Sequence, residues 1–154
     1  SWEEIKAKER AKKLDSEPSS LSELDGVSVA YPALLRAEKL QKRAARVGFD
    51  WTHTKPVLNK LDEEICELKE VLNTSCQKSQ LEEELGDVLF TCVNIARHLK
   101  IDPETALHKA NRKFTKRFQF IEKSLQEELN IKPEDADFSD LESRWARAKT
   151  LDHE

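Results

Sequence analysis

Apolar residues along this chain recur at three- and four-residue intervals, the spacing that lays a stripe along one face of an α-helix. Leu61, Ile65, Leu68 and Leu72 make one stripe; Leu81, Leu85, Val88, Leu89 and Cys92 make a second. A third runs through Leu107, Ala110, Phe114, Phe118, Ile121 and Leu125. Turn and capping residues divide the pattern. A short charged helix is predicted from Trp2 to Leu14, followed by a Ser/Pro/Asp/Gly stretch, Ser16 to Ser28, that reads as a linker. The next helix runs from about Tyr31 to Val47, with Pro32 near its first turn and Gly48 just past its end. Phe49, Trp51 and His53 fall in the connection. A helix then starts near Pro56 and fades at Asn73. Ser79 and Glu82 have the spacing of a capping box for a helix reaching about Leu99. Asp102, with Pro103 at the first position, starts a long helix to about Leu129. Pro133 to Phe138 reads as a loop, and Ser139 as the cap of a final helix through about Leu151. Four long helices with short connections predict an all-α, four-helix-bundle-like fold. No internal repeat is visible.

The polar positions beside two of these stripes carry the chemistry. One helix holds E-E-x-x-E at Glu63, Glu64 and Glu67, and the next holds E-x-x-D at Glu84 and Asp87. Spacings of three and four put Glu64 with Glu67 on one face, and Glu84 with Asp87 on another. Packed together, the two helices place four carboxylates around one small volume. Crowded like charges repel unless a counter-charge lies between them, and a hard divalent cation with oxygen ligands, Mg²⁺ above all, fills that role. With 30 acidic residues among 154, acidic pairs also arise on plain solvated faces. The apolar context argues for the site: Glu64 lies between Leu61 and Leu68 on the helical surface, and a carboxylate at a core edge is costly unless paired or metal-bound.

Composition narrows the picture further. With 3 Gly, 5 Pro and 36% charged residues, the chain has an all-α balance. Its net charge of −4 gives no general attraction to nucleic acid or anionic membrane, so an anionic substrate needs metal or a local basic group. Cys66, Cys76 and Cys92 form no C-x-x-C and leave an odd thiol, the usage of a reduced, cytoplasmic protein. The longest largely apolar run, Val88 to Ala96, is too short to span a bilayer, and no signal-peptide core opens the chain. The absence of Met suggests a processed chain or a fragment.

Several other groups admit two readings. Lys113 and Arg117 share a face of the long helix, near Asn111, and either hold polyphosphate oxygens or are solvated charges. Lys60 is either an ion-pair partner of Glu64 or a phosphate ligand. Trp145, between Arg144 and Arg147, is either an anchor or a stacking surface for a base. His98 at a helix end reads as a capping residue. No glycine-rich phosphate loop, G-x-S-x-G or Cys/His nucleophile arrangement is present.

The stretches YPALLRAEKLQKRAARVGFDW, KLDEEICELKEV, LEEELGDVLFTCVNIARHL, DPETALHKANRKFTKRFQFIE and LESRWARAK, in that order, resemble the MazG family of nucleoside triphosphate pyrophosphohydrolases. The likeness is to the C-terminal domain of two-domain members, and it extends over nearly all residues from Tyr31 onward. The opening WEEIKAKERAKK looks like the end of a preceding domain. This divides the chain into residues 1–28, a helical extension and linker, and 29–154, the catalytic domain. The resemblance implies an all-α fold assembling as a homodimer or higher oligomer, hydrolysing nucleoside triphosphates to monophosphate and pyrophosphate with Mg²⁺, or Mn²⁺ in its place. It assigns Glu64, Glu67, Glu84 and Asp87 to the metal, Lys60, Lys113 and Arg117 to the phosphates, and Trp145 with Lys149 to the base. Glu63 and Asn111 are secondary candidates, and Glu67 the candidate general base. Two alternatives stand beside this: a specialised dUTP, dCTP or phosphoribosyl-ATP pyrophosphohydrolase, and a non-enzymatic helical dimerisation module.

Overall fold

Pro32, at φ −53°, follows a turn over residues 28–31 and starts a helix whose inward face mixes apolar and polar side chains. The computed structural model describes residues 1–16 and 21–152, and among them every regular element is helical. In chain order these are α1 (Trp2–Ser16), α2 (Ala33–Arg46), α3 (Thr54–Thr74), α4 (Lys78–His98), α5 (Pro103–Leu129) and α6 (Phe138–Leu151), with a 3₁₀ turn at Pro133–Asp135. The expected all-α class is borne out. Residues 17–20 of the expected linker lie outside the described residues. Residues 21–26 form turns fastened to α2, because Arg43 Nη1 donates to the carbonyls of Glu23 at 3.2 Å and Asp25 at 2.7 Å.

The chain divides into two units, Ser1–Glu104 and Thr105–Glu154. In the first, α3 and α4 pair along their lengths and α2 lies against α4. The α3–α4 hairpin turns at Cys76, whose φ of +50° lets its N–H reach the Val71 carbonyl at 3.0 Å. Both α2 and α4 end in a Schellman arrangement, the N–H two residues past the cap bonding back into the last turn. At α2, Gly48 takes φ +90° and Phe49 N–H reaches Ala44 O at 3.1 Å; at α4, Lys100 takes φ +58° and Ile101 N–H reaches Ala96 O at 2.9 Å. Gly48 therefore closes α2 as expected. The Asp102 carboxylate accepts from the Glu104 N–H at 3.3 Å, the capping foreseen for α5.

Two capping expectations fail. α4 begins at Lys78 with Gln77 as N-cap, and α6 begins at Phe138 with Asp137 as N-cap, neither with a side-chain cap bond. Ser79 and Ser139 sit inside their first turns. At α4 the hairpin leaves a single extended residue, Gln77, between Cys76 and the helix, and its carbonyl accepts the first helical bond, from Leu81 at 3.0 Å.

The expected stripes are also rotated. On α4 the inward row is Leu81, Glu84, Val88, Thr91, Ile95 and His98, whereas Leu85, Leu89 and Cys92 are exposed. On α3, Leu72 is exposed and Val57 and Glu64 are buried. Both inward rows include functional-looking polar residues, so apolar periodicity alone selects a neighbouring face. In the second unit, Ile121 and Leu125 of α5 and Ala148 of α6 are buried, while Leu107, Phe114 and Phe118 are exposed. Arg144, 5% exposed, bonds Asp140 at 3.2 Å and also pairs with Glu128. Among the described residues no helix is long and apolar enough to cross a membrane.

Candidate active site

The register of α3 fixes the first half of the site. Lys60 and Glu64 follow each other by one turn on the face turned toward α4, and Glu64 is only 6% exposed. Lys60 Nζ lies 3.0 Å from Glu64 Oε1 and 3.5 Å from Glu63 Oε2. Of the two sequence readings of Lys60, the structure displays the ion pair; the hydrogen bond that the ammonium donates to Glu64 raises its pKa above the ordinary value. Glu63 is exposed and joins only through this lysine.

α4 supplies the second half. Carboxylate oxygens of Glu64, Glu84 and Asp87 lie within 4.8 Å of one another. Glu67 is not among these three converging groups but stands beside them. The charge of Glu64, partial burial, and contacts with Glu64 and Glu84 hold its carboxyl above the usual range. Three of the four expected carboxylates thus converge, and Glu67 is near enough to feel the charges of Glu64 and Glu84.

The donor set fits a hard cation. Glu64 Oε2 and Glu84 Oε2 are buried with no hydrogen-bond partner. Buried polar oxygens are nearly always satisfied, and leaving them without donors is costly. Three convergent carboxylates, two of them with an unpartnered buried oxygen, fit the all-oxygen ligation of a cation such as Mg²⁺.

The remaining expected residues belong to the second unit. Arg117 Nε donates to Asp152 Oδ2 at 2.6 Å, and its guanidinium lies 5.2 Å from the centre of the Trp145 ring. Phe114 meets the same ring at 5.6 Å, tilted by 51°. Trp145 is half-buried in this group, whereas Lys113, Lys149 and Asn111 are exposed.

Sequence reasoning missed one network. Asp50 accepts both Arg97 Nη1 at 3.0 Å and Arg97 Nη2 at 2.5 Å, and its Oδ1 lies 2.8 Å from His98 Nε2. These bonds, from Arg97 foremost, lower the Asp50 pKa to about 2. His98 thus pairs with a carboxylate rather than capping α4. The only sequence signal was the pair of aromatics, Phe49 and Trp51, set around Asp50 in a short connection.

Residues 53–120, which hold all four carboxylates, match the MazG nucleotide pyrophosphohydrolase domain. The chain carries a MazG-family domain. It is 43% identical over 149 residues to the nucleoside triphosphate pyrophosphohydrolase of Escherichia coli K12, covering 96% of this chain and 54% of that protein. It is 40% identical over 148 residues to the nucleoside triphosphate pyrophosphohydrolase/pyrophosphatase MazG of Thermotoga maritima, again 96% and 54%. An uncharacterised Bacillus subtilis protein, YabN, is 40% identical over 148 residues, which cover 29% of its length. The chain thus spans about half the length of the enzymes it matches. Within the MazG domain the carboxylate cluster lies on α3 and α4, and the Lys113–Arg117 face lies on α5.

Proposed function

We propose that this MazG domain hydrolyses nucleoside triphosphates to the monophosphate and pyrophosphate. The observation that carries the reading is the convergence of Glu64, Glu84 and Asp87 within 4.8 Å, with two buried oxygens lacking donors. Glu64, Glu67, Glu84 and Asp87 would hold Mg²⁺, with Mn²⁺ as a substitute. When bound, the metal neutralises phosphate charge and acidifies water. Lys60, held in place by Glu64, supplies one cation to the phosphates. In the second unit, Lys113 and Arg117 are the candidate phosphate-binding cations. Arg117 would exchange its Asp152 partner for phosphate oxygens, a like-for-like replacement of one anion by another. Glu67, beside the three convergent carboxylates, would accept the proton of the water that attacks the α-phosphorus. Trp145 offers a ring face to the base, with Lys149 one turn along α6. The two names that describe hydrolysis in relatives support this reading, as does the absence of a glycine-rich phosphate loop.

Assembly as a homodimer or higher homo-oligomer and a cytoplasmic location belong to the same proposal. The exposed apolar row Leu85, Leu89 and Cys92 of α4 supports the first. The test is product analysis with a panel of ribo- and deoxyribonucleoside triphosphates in Mg²⁺. Monophosphate and pyrophosphate are expected. Diphosphate with inorganic phosphate would refute attack at the α-phosphorus, and turnover of a single nucleotide would identify a specialist.

A further inference from the structure

Between the C-terminal half of α4, the facing part of α2 and the 48–51 connection lies a hollow of about 610 Å³. Leu40, Phe49, Trp51 and Phe90 give it mainly apolar walls, and Asn94 and Arg97 line it as well. Its aromatics are open: Phe49 is 79%, Phe90 47% and Trp51 45% exposed. Beneath them Gln41 is 7% exposed; its Nε2 donates to Phe90 O at 2.9 Å, and its Oε1 is buried without a partner. An apolar hollow with few oriented polar groups is the usual build of a small-molecule site.

Two features define what it takes. The first is place: Asp87, Phe90, Asn94 and Arg97 follow one another by three, four and three residues, so they share one face of α4. At 1.5 Å per residue, Phe90 lies about 5 Å and Asn94 about 10 Å along the helix from the metal-binding Asp87. The second is the fixed amide of Asn94. Its Oδ1 already accepts Arg97 Nε at 3.2 Å and Nη2 at 2.6 Å, and Arg97 is in turn clamped by Asp50. Only the Nδ2 donors of Asn94 remain to meet a ligand.

We infer that this hollow is a base-recognition site in which Phe49, Trp51 and Phe90 receive a nucleobase and Asn94 Nδ2 donates to a ring carbonyl at its edge. Arg97 and Asp50 are positioning residues that fix the amide's orientation. The inference rests on the nucleotide reading above and adds to it a preference for bases that present a carbonyl, rather than an exocyclic amine, at this edge. Trp145 belongs to the other unit, and its role is tested separately. Ring stacking is indifferent to base identity, whereas an oriented hydrogen bond selects.

The experiment uses nucleosides, which lack phosphates, in EDTA, so that its outcome does not depend on the metal centre or on hydrolysis. Uridine and cytidine, which differ at one edge in carbonyl against amine, are titrated calorimetrically into the full chain. Wild type should favour uridine. Asn94→Asp, which replaces the donor by an acceptor, should lower the uridine-to-cytidine affinity ratio by about threefold to tenfold, one hydrogen bond's worth. Phe49→Ala, at a side chain too exposed to matter for folding, should weaken both nucleosides alike. An unchanged ratio in Asn94→Asp, unchanged affinity in Phe49→Ala, or no binding to wild type at millimolar nucleoside would each overturn the assignment. Pyrophosphate release, measured separately, tests the hydrolytic reading on its own.

Discussion

Glu84→Gln tests the proposed metal-binding role of the carboxylates most directly, because the substitution keeps shape and removes one charge from a crowded set. Glu64, Glu84 and Asp87 bring oxygens within 4.8 Å of each other, and at that separation two unit charges repel by about 3.5 kcal/mol at an effective dielectric of about 20 and about 1 kcal/mol in water. Glu84 is half-buried and Asp87 exposed, so screening favours the lower part of this range, about 1–2 kcal/mol. The new amide can also donate to Glu64 Oε2, which has no partner in the wild type. In EDTA the variant should therefore melt higher by roughly 2–8 °C for a chain of this size. With Mg²⁺ the order reverses. Wild type at about a hundredfold excess over its dissociation constant gains about 2.7 kcal/mol, whereas the variant, short of one anionic ligand, should keep only a small part of that shift and almost no turnover. The assay is thermal melting of both proteins in EDTA and in Mg²⁺, with pyrophosphate release in parallel. A variant that retains the full Mg²⁺-induced shift, or that melts clearly lower in EDTA, would refute the reasoning.

Trp145→Ala should weaken nucleotide binding by about 1–3 kcal/mol, seen in KM and equal for all bases, if the ring stacks on the base; an unchanged KM with a lower melting temperature would leave it a packing partner of Phe114. For Asp50 the folded pKa of about 2 lies below its ordinary 3.8, so its stabilisation is complete above about pH 4 and is lost as pH falls toward 2. Urea unfolding across that range should show Asp50→Asn less stable near neutrality and less steeply dependent on pH in acid; parallel curves would contradict this. Gly48→Ala should cost about 1–2 kcal/mol through backbone strain alone, since φ is +90° and nothing lies within 4 Å of an added Cβ; unchanged stability by urea unfolding would count against it.

The sequence by itself determined the helices, their order and the four acidic positions, because helical spacing, Pro at helix starts and Gly48 past an end act over a few residues. It also placed Glu64 with Glu67 and Glu84 with Asp87, since i,i+3 neighbours share a face in any helix. Tertiary structure decided which face turns inward. Glu64, Glu84 and Thr91 occupy the packed rows of α3 and α4, while Leu72, Leu85 and Leu89 do not, and polar residues on an inward face leave no mark in an apolar pattern. Capping went the same way: Ser79 and Ser139 had suitable side chains, but the approach of the chain set the helix starts at Gln77 and Asp137. The Asp50–Arg97–His98 network and the hollow above Gln41 join residues more than forty positions apart. Contacts of that range depend on how α2 and α4 pack together, and no local spacing rule encodes them.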